Sequence, residues 1–327
     1  NEFIGCGLHN GECGVTNETL IDDPLIKASA QIERAALDPG KRPVVRAFFD
    51  EASHTVSYVV HCPETRRAAI LDSVLDYDAA AGRTDTRSAD AIASYIENEK
   101  ITVDWLLETH VHADHLSAAP YLQETLGGRV GICREIVQVQ RIFATVFNAG
   151  PDFACDGSEF DHLFADGDTF HIGNLEGIAL YVPGHTPADM AFVIGDAAFL
   201  GDTLFMPDYG TARVDFPGGD ARQLYRSIRR LLSLPGETRL FLCHDYKAPG
   251  RDAYAWETTV AAQKAGNIHV HDGVSEEAFV ALRTARDATL PVPKLIVPAI
   301  QVNMRGGRLP PPEDNGVRYL KIPLNTL

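Results

Sequence analysis

LLETHVHADHLSAA, residues 106–119, is the stretch on which the fold of this 327-residue chain turns. An apolar run ends in four candidate ligands within six positions: His110, His112, Asp114 and His115. In an extended strand, residues two apart project to the same side, so His110 and His112 at a strand end can share one ion. The chain is then expected to turn into a helix with Asp114 and His115 in its first turn, facing a second position. Imidazole and carboxylate together suit zinc, iron or manganese. A lone histidine pair at a strand end is ordinarily solvated or capped. HxHxDH is harder to read that way, because it would set three imidazoles and a carboxylate at the mouth of an apolar strand for no gain.

Outward from that motif, VDWLLETH reads as a buried strand. Before it, VVRAFFD (44–50), TVSYVVH (55–61) and RAAILD (67–72) are rich in β-branched and aromatic residues and read as strands. SADAIASYIENEK reads as a helix with Ser88 as N-cap. After the motif come a helix around LSAAPYLQETLG, a short strand GRVGIC and a helix REIVQVQRIFATVF. Strand signals return at DTFHI, LEGIALYV, MAFVIG, AAFLG and RLFLCHDY. ARQLYRSIRRLLSL is an amphipathic helix with Leu224, Ile228, Leu231 and Leu232 on one side. SEEAFVALRTARDATL adds a helix, and PVPKLIVPAIQVNMRGGRLPPPEDNG reads as an irregular proline-rich tail. This order predicts an α/β fold of two sheets packed face to face with helices outside. Residues 1–42 form an N-terminal arm, 43–250 the catalytic domain and 251–327 a C-terminal extension packed on it.

Three later segments each end a strand on a ligand-type residue. YVPGHTPADM places His185 on a turn made by Pro183 and Gly184. FLGDTLF places Asp202 after Gly201, which permits close backbone approach. LFLCHDY ends on His244. Singly, these read as a turn residue, a cap and a core histidine; jointly they describe a site built at one rim of a sandwich.

Composition narrows the function. Apolar residues make up 45% and charged residues 23%, with a net charge of −16. Such a surface repels polyanions, so nucleic acid is not an expected partner. No apolar run is long enough to span a membrane. No signal peptide is visible, although the chain opens on Asn1. The six cysteines, Cys6, Cys13, Cys62, Cys133, Cys155 and Cys243, form no CxxC pair and read as reduced thiols. A cytoplasmic protein is expected.

THVHADH, PGHTPAD, GDTLF and CHDY, in this chain order, resemble the metallo-β-lactamase fold superfamily over roughly residues 44–250. The resemblance implies an αββα four-layer sandwich of two mixed sheets with a metal site at one edge. It also implies that Asp72, ending AAILD, supports the ligands from behind. β-Lactamases of this superfamily often carry a cysteine where Asp202 stands and are generally secreted, which disfavours lactam hydrolysis here.

Two branches resemble the chain more. In glyoxalase II, two zinc ions bridged by the match of Asp202 hold a hydroxide that attacks a glutathione thioester. In the persulfide dioxygenases, one ferrous iron is held by the matches of His110, His185 and Asp202, leaving positions for a substrate sulfur and dioxygen. His112, Asp114, His115 and His244 would then surround that site. MPDYGTARVDFPGGDARQLYRSI resembles the dioxygenase segment at Arg213 and Asp215. That resemblance gives Arg213 a role in ordering the site or binding a substrate carboxylate, and gives Tyr246 of HDY a hydrogen bond to the substrate. The tail resembles that of a bacterial persulfide dioxygenase subgroup. No cysteine follows Cys243, so an appended thiol-dependent sulfurtransferase domain is not expected. The expected activity is Fe(II)-dependent oxidation of glutathione persulfide, or a similar small persulfide, to sulfite and thiol. The alternative is a dinuclear zinc thioesterase. The tail is expected to cover the sheet, rim the pocket or form the contact of a homodimer.

Overall fold

β-Branched and aromatic runs at the start of the chain pair into a first sheet, and a second such series builds its partner. The computed structural model describes residues 23–326; Cys6, Cys13 and most of the N-terminal arm lie outside them. Helix α1 (Pro24–Leu37) is capped by Asp23, whose carboxylate accepts from the Leu25 amide. Strands β1 (Val44–Asp50), β2 (Thr55–His61) and β3 (Arg67–Leu71) follow as an antiparallel meander. Next come β4 (Val74–Asp78), β5 (Arg83–Asp85), α2 (Arg87–Asn98), β6 (Thr102–Leu107) and β7 (Leu116–Ser117). They are succeeded by α3 (Ala119–Leu126), β8 (Arg129–Cys133), α4 (Ile136–Val146) and β9 (His162–Phe164). The first sheet runs β1-β2-β3-β6-β8-β9, with β3, β6, β8 and β9 mutually parallel.

The second sheet takes β10 (Thr169–Ile172), β11 (Leu175–Tyr181), β12 (Met190–Ile194) and β13 (Ala197–Phe199). After α5 (Ala221–Leu231) it gains β14 (Arg239–Phe241) and β15 (Glu257–Thr259). Its order is β10 to β15 in sequence, antiparallel except between β13 and β14. Both sheets are mixed. Helices α6 (Val260–Gly266), α7 (Glu276–Asp287) and α8 (Ile296–Asn303) complete the chain.

An aromatic seam joins the sheets. Phe164 of β9 lies edge-on to Phe192 of β12 at 5.4 Å between centroids, and Tyr58 of β2 meets Phe199 and Phe241 at 5.4 and 5.5 Å. Trp105 of β6 abuts Phe170 of β10, and its indole N–H donates to the His171 carbonyl. Trp256, just before β15, stacks on Phe49 of β1. On the outer face of the second sheet, Leu224, Ile228 and Leu231 of α5 are buried with Ala28 and Ile32 of α1, the side expected from their spacing. Each such leucine or isoleucine contributes about 1.5–3 kcal/mol on burial. Helices α2, α3 and α4 bury Ile92, Leu122 and Phe143 against the first sheet, completing an αββα sandwich.

Three local expectations are corrected. Helix α2 starts at Arg87, and Ser88 is inside it rather than at its N-cap. Asp76 of β4 accepts from both the amide and the hydroxyl of Ser88, so a carboxylate distant in sequence serves the helix start. The HVHADH segment does not turn directly into a helix. Asp114 and His115 sit in a loop that passes through β7 before α3 begins at Ala119. The proline-rich tail also contains α8. Its Pro298 falls in the first turn, where a missing backbone N–H costs no helical hydrogen bond.

Candidate metal centre

The ligand-type residues come together on loops at one rim of the sandwich. β6 ends at Leu107 and passes the loop carrying His110, His112, Asp114 and His115. β11 leads to the His185 turn, β13 to Asp202 and β14 to His244. Two glycines make the close approaches possible. Gly184 has φ 149°, and a Cβ there would lie 2.3 Å from the backbone of Leu224. Gly201 has φ 54°, and a Cβ there would lie 2.5 Å from the Thr109 hydroxyl.

The side chains form two adjoining groups. Ligand atoms of His110, His185 and Asp202 lie within 4.8 Å of one another, as do those of His112, Asp114 and His115. His110 and His112 thus fall in different groups rather than side by side on a strand, although their rings are 4.1 Å apart. His244 stands between the groups, with Nε2 3.2 Å from Asp202 and 3.7 Å from Asp114. His185 Nε2 is 3.6 Å from Asp202. These separations match ligands about 2.0–2.2 Å from a shared cation.

Each histidine is fixed by its other nitrogen. His185 Nδ1 donates to the Arg213 carbonyl at 2.7 Å, and His244 Nδ1 to the His54 carbonyl at 3.1 Å. The Thr109 hydroxyl donates to Asp72 and accepts from His110 Nδ1, each at 3.0 Å. His112 Nε2 donates to Asp72 at 3.0 Å, and His115 Nδ1 to Asp114 at 3.1 Å. Each ring therefore keeps its second nitrogen for the centre. His110 Nε2, His112 Nδ1, His115 Nε2 and Asp202 Oδ1 are four of the eight buried side-chain polar atoms that lack a hydrogen-bond partner among the described residues. Buried polar atoms are normally paired, so this convergence is what a cation would satisfy. The residues present fit a metal.

Electrostatics follow the same division. Burial, with neighbouring His112 and His185, holds His110 well below the usual histidine range. His112 is opposite: against burial, the Asp72 and Glu108 carboxylates hold it well above that range. Asp114, against burial, is held well below the carboxylate range by His244 and His115. Burial pushes Asp189 up to about 7, where it caps the His185 turn through the amide and hydroxyl of Thr186.

The remaining candidates are placed as follows. Asp72, at φ 49°, is buried behind the loop and also accepts from the Thr109 amide at 2.8 Å. Arg213 gives two hydrogen bonds of 2.5 Å to Asp215 and one of 2.8 Å to the Pro291 carbonyl. Its backbone oxygen, rather than its guanidinium, touches a candidate ligand. Tyr246 is 37% exposed, with its ring over His244 and beside Tyr209. Sequence reading missed Thr55, Glu108, Thr109 and Asn303. Thr55 donates to Asp114 at 2.9 Å, and Glu108 accepts from Ser117 at 2.6 Å. Only Glu108 left a signal, as a carboxylate closing an apolar strand.

Residues 51–244 match the metallo-beta-lactamase superfamily. A protein of Burkholderia pseudomallei described as a probable metallo-hydrolase is 56% identical over 293 residues, 86% of this chain and 99% of the relative. Human persulfide dioxygenase ETHE1 is 27% identical over 267 residues, 81% of this chain and 89% of the relative. The crystal structure of ETHE1 from Myxococcus xanthus superposes with TM-score 0.64 at 30% identity, covering 81% of this chain and all of that one. Among the described residues, no helix is long and apolar enough to cross a membrane.

Proposed function

Because this chain belongs to the metallo-beta-lactamase superfamily, whose enzymes are metal-dependent, we propose that it is an iron-dependent persulfide dioxygenase. One observation carries this reading. His110, His185 and Asp202 converge as a buried two-histidine, one-carboxylate set, with the His110 nitrogen and an Asp202 oxygen unpartnered. That donor set suits ferrous iron, which when bound supplies open positions for a sulfur and dioxygen and the electrons to activate oxygen. The likeness to ETHE1 in sequence and structure supports the same choice.

The chain's own groups then have defined tasks. The Arg213 carbonyl keeps the proton on His185 Nδ1, so Nε2 stays available as a ligand. Asp72 and Thr109 orient His112 and His110. Arg213 and Asp215 brace the segment after Asp202, and the Tyr246 hydroxyl would hydrogen-bond the bound substrate. Overall, a small persulfide, dioxygen and water would give thiol, sulfite and protons. Both oxygen atoms of dioxygen go to the terminal sulfur, and water completes sulfite as the sulfur–sulfur bond breaks.

A second reading, a dinuclear zinc thioesterase, is favoured by the intact group of His112, Asp114 and His115, with His244 positioned between Asp114 and Asp202. The hydrolase-named relative points the same way. Oxygen uptake with glutathione persulfide, set against hydrolysis of S-lactoylglutathione, tests the choice in protein expressed with both iron and zinc available. One iron per chain and oxygen uptake are expected. Two zinc ions with thioester turnover and no oxygen uptake would overturn the dioxygenase reading. Asp114→Ala should then separate the two, cutting a dinuclear thioesterase severely and a mononuclear dioxygenase less.

A further inference from the structure

The segment matched to the superfamily ends at residue 244, yet a side chain almost sixty residues further on reaches the ligand loop. Asn303, the last residue of α8, is 5% exposed. Its amide nitrogen donates to the His112 carbonyl at 2.9 Å and the His115 carbonyl at 2.8 Å. Its amide oxygen accepts from the Ser117 N–H at 2.8 Å. Both N–H bonds of the carboxamide are thus used on the peptide groups of two candidate ligands, three positions apart.

The loop around them has no regular structure, so its carbonyls lack a helix or strand ladder. Asn303 grips it from one side, while Asp72 grips it from the other through Thr109 and His112. The approach is packed as well as hydrogen-bonded. Ala299 and Val302 of α8 pack against Leu116. Gly307, at φ 80°, runs so close that a Cβ there would lie 2.6 Å from Pro120 and 2.9 Å from the Ser117 carbonyl. An asparagine suits this place because it offers two donors and an acceptor from one planar group.

We propose that Asn303 is a positioning residue of the metal centre, fixing the spacing at which His112 and His115 present their lone pairs. The C-terminal extension is then part of the centre rather than a cover over the sheet. This rests on the group of His112, Asp114 and His115 holding a cation, as in the two-ion reading above.

The test compares zinc(II) affinity, by chelator competition, for the wild-type chain, Asn303→Ala and Asn303→Asp, alongside the thermal midpoint of each metal-free protein. Asn303→Asp keeps the acceptor for Ser117 and removes both donors. Partners that orient ligands typically change affinity about 10–100-fold when lost, and that fall is expected in both variants, with both still folded. A merely structural residue would lower the metal-free midpoint and leave affinity unchanged. Unchanged affinity in either folded variant, or failure of both to fold, overturns the proposal. A wild-type chain that takes up neither zinc nor iron would instead overturn the metal centre itself.

Discussion

Asp202 links the candidate ligands of the rim, since it faces His185 through one oxygen and His244 through the other. Asp202→Ala should abolish metal uptake and turnover while leaving a folded chain, as elemental analysis and circular dichroism would report; full turnover would refute the ligand assignment. Gly201→Ala tests the scaffold beneath it. Its φ of 54° disfavours an L side chain, and the new methyl would meet Thr109, which orients His110. A loss of about 1–3 kcal/mol in denaturant unfolding is expected, with weakened metal binding. At this scale the sequence was most legible where chemistry restricts residue type. Imidazoles and carboxylates at strand ends have few other reasons to cluster. Thr55, Thr109 and Asn303 act through ordinary hydrogen bonds, and nothing in their spacing marks them.

Helix α5 shows what periodicity can foretell. Its apolar face is buried as expected, and its arginines lie outside: Arg222 and Arg226 pair with Glu276, and Arg229 pairs with Asp272. Leu224→Ala should cost about 2–5 kcal/mol, because its side chain is fully buried in the apolar layer between α5 and the second sheet. Arg226→Ala should cost less than about 1 kcal/mol, since that pair is exposed. Chemical denaturation of the two variants checks the contrast. The elements that escaped reading were short or interrupted. β15 has three residues and is defined by its pairing to β14 rather than by pattern. α8 was hidden by the prolines around it, of which its first turn holds only Pro298.

Across the whole molecule, the C-terminal helices are tied to the segment after Asp202 by a buried polar network. Arg283 of α7 pairs with Asp287, whose carboxylate accepts from the Val214 amide. His269 Nδ1 accepts from the Thr211 amide at 3.1 Å. Burial, aided by Arg283 and Arg286, holds His269 down to about 4. The unfolded chain takes up this proton near the ordinary 6.5, so the folded state loses stability as pH falls from about 6.5 to about 4. The loss is at most about 1.4 kcal/mol per pH unit. Thermal midpoints measured across that window should fall in the wild-type chain and fall less steeply in His269→Gln; parallel slopes would contradict the assignment.

The aromatic seam has a practical corollary. The chain holds two tryptophans, and each is wedged where one sheet meets the other: Trp105 against Phe170, Trp256 against Phe49. Intrinsic fluorescence therefore senses separation of the two layers directly, with no label attached, at two places remote from each other along the chain.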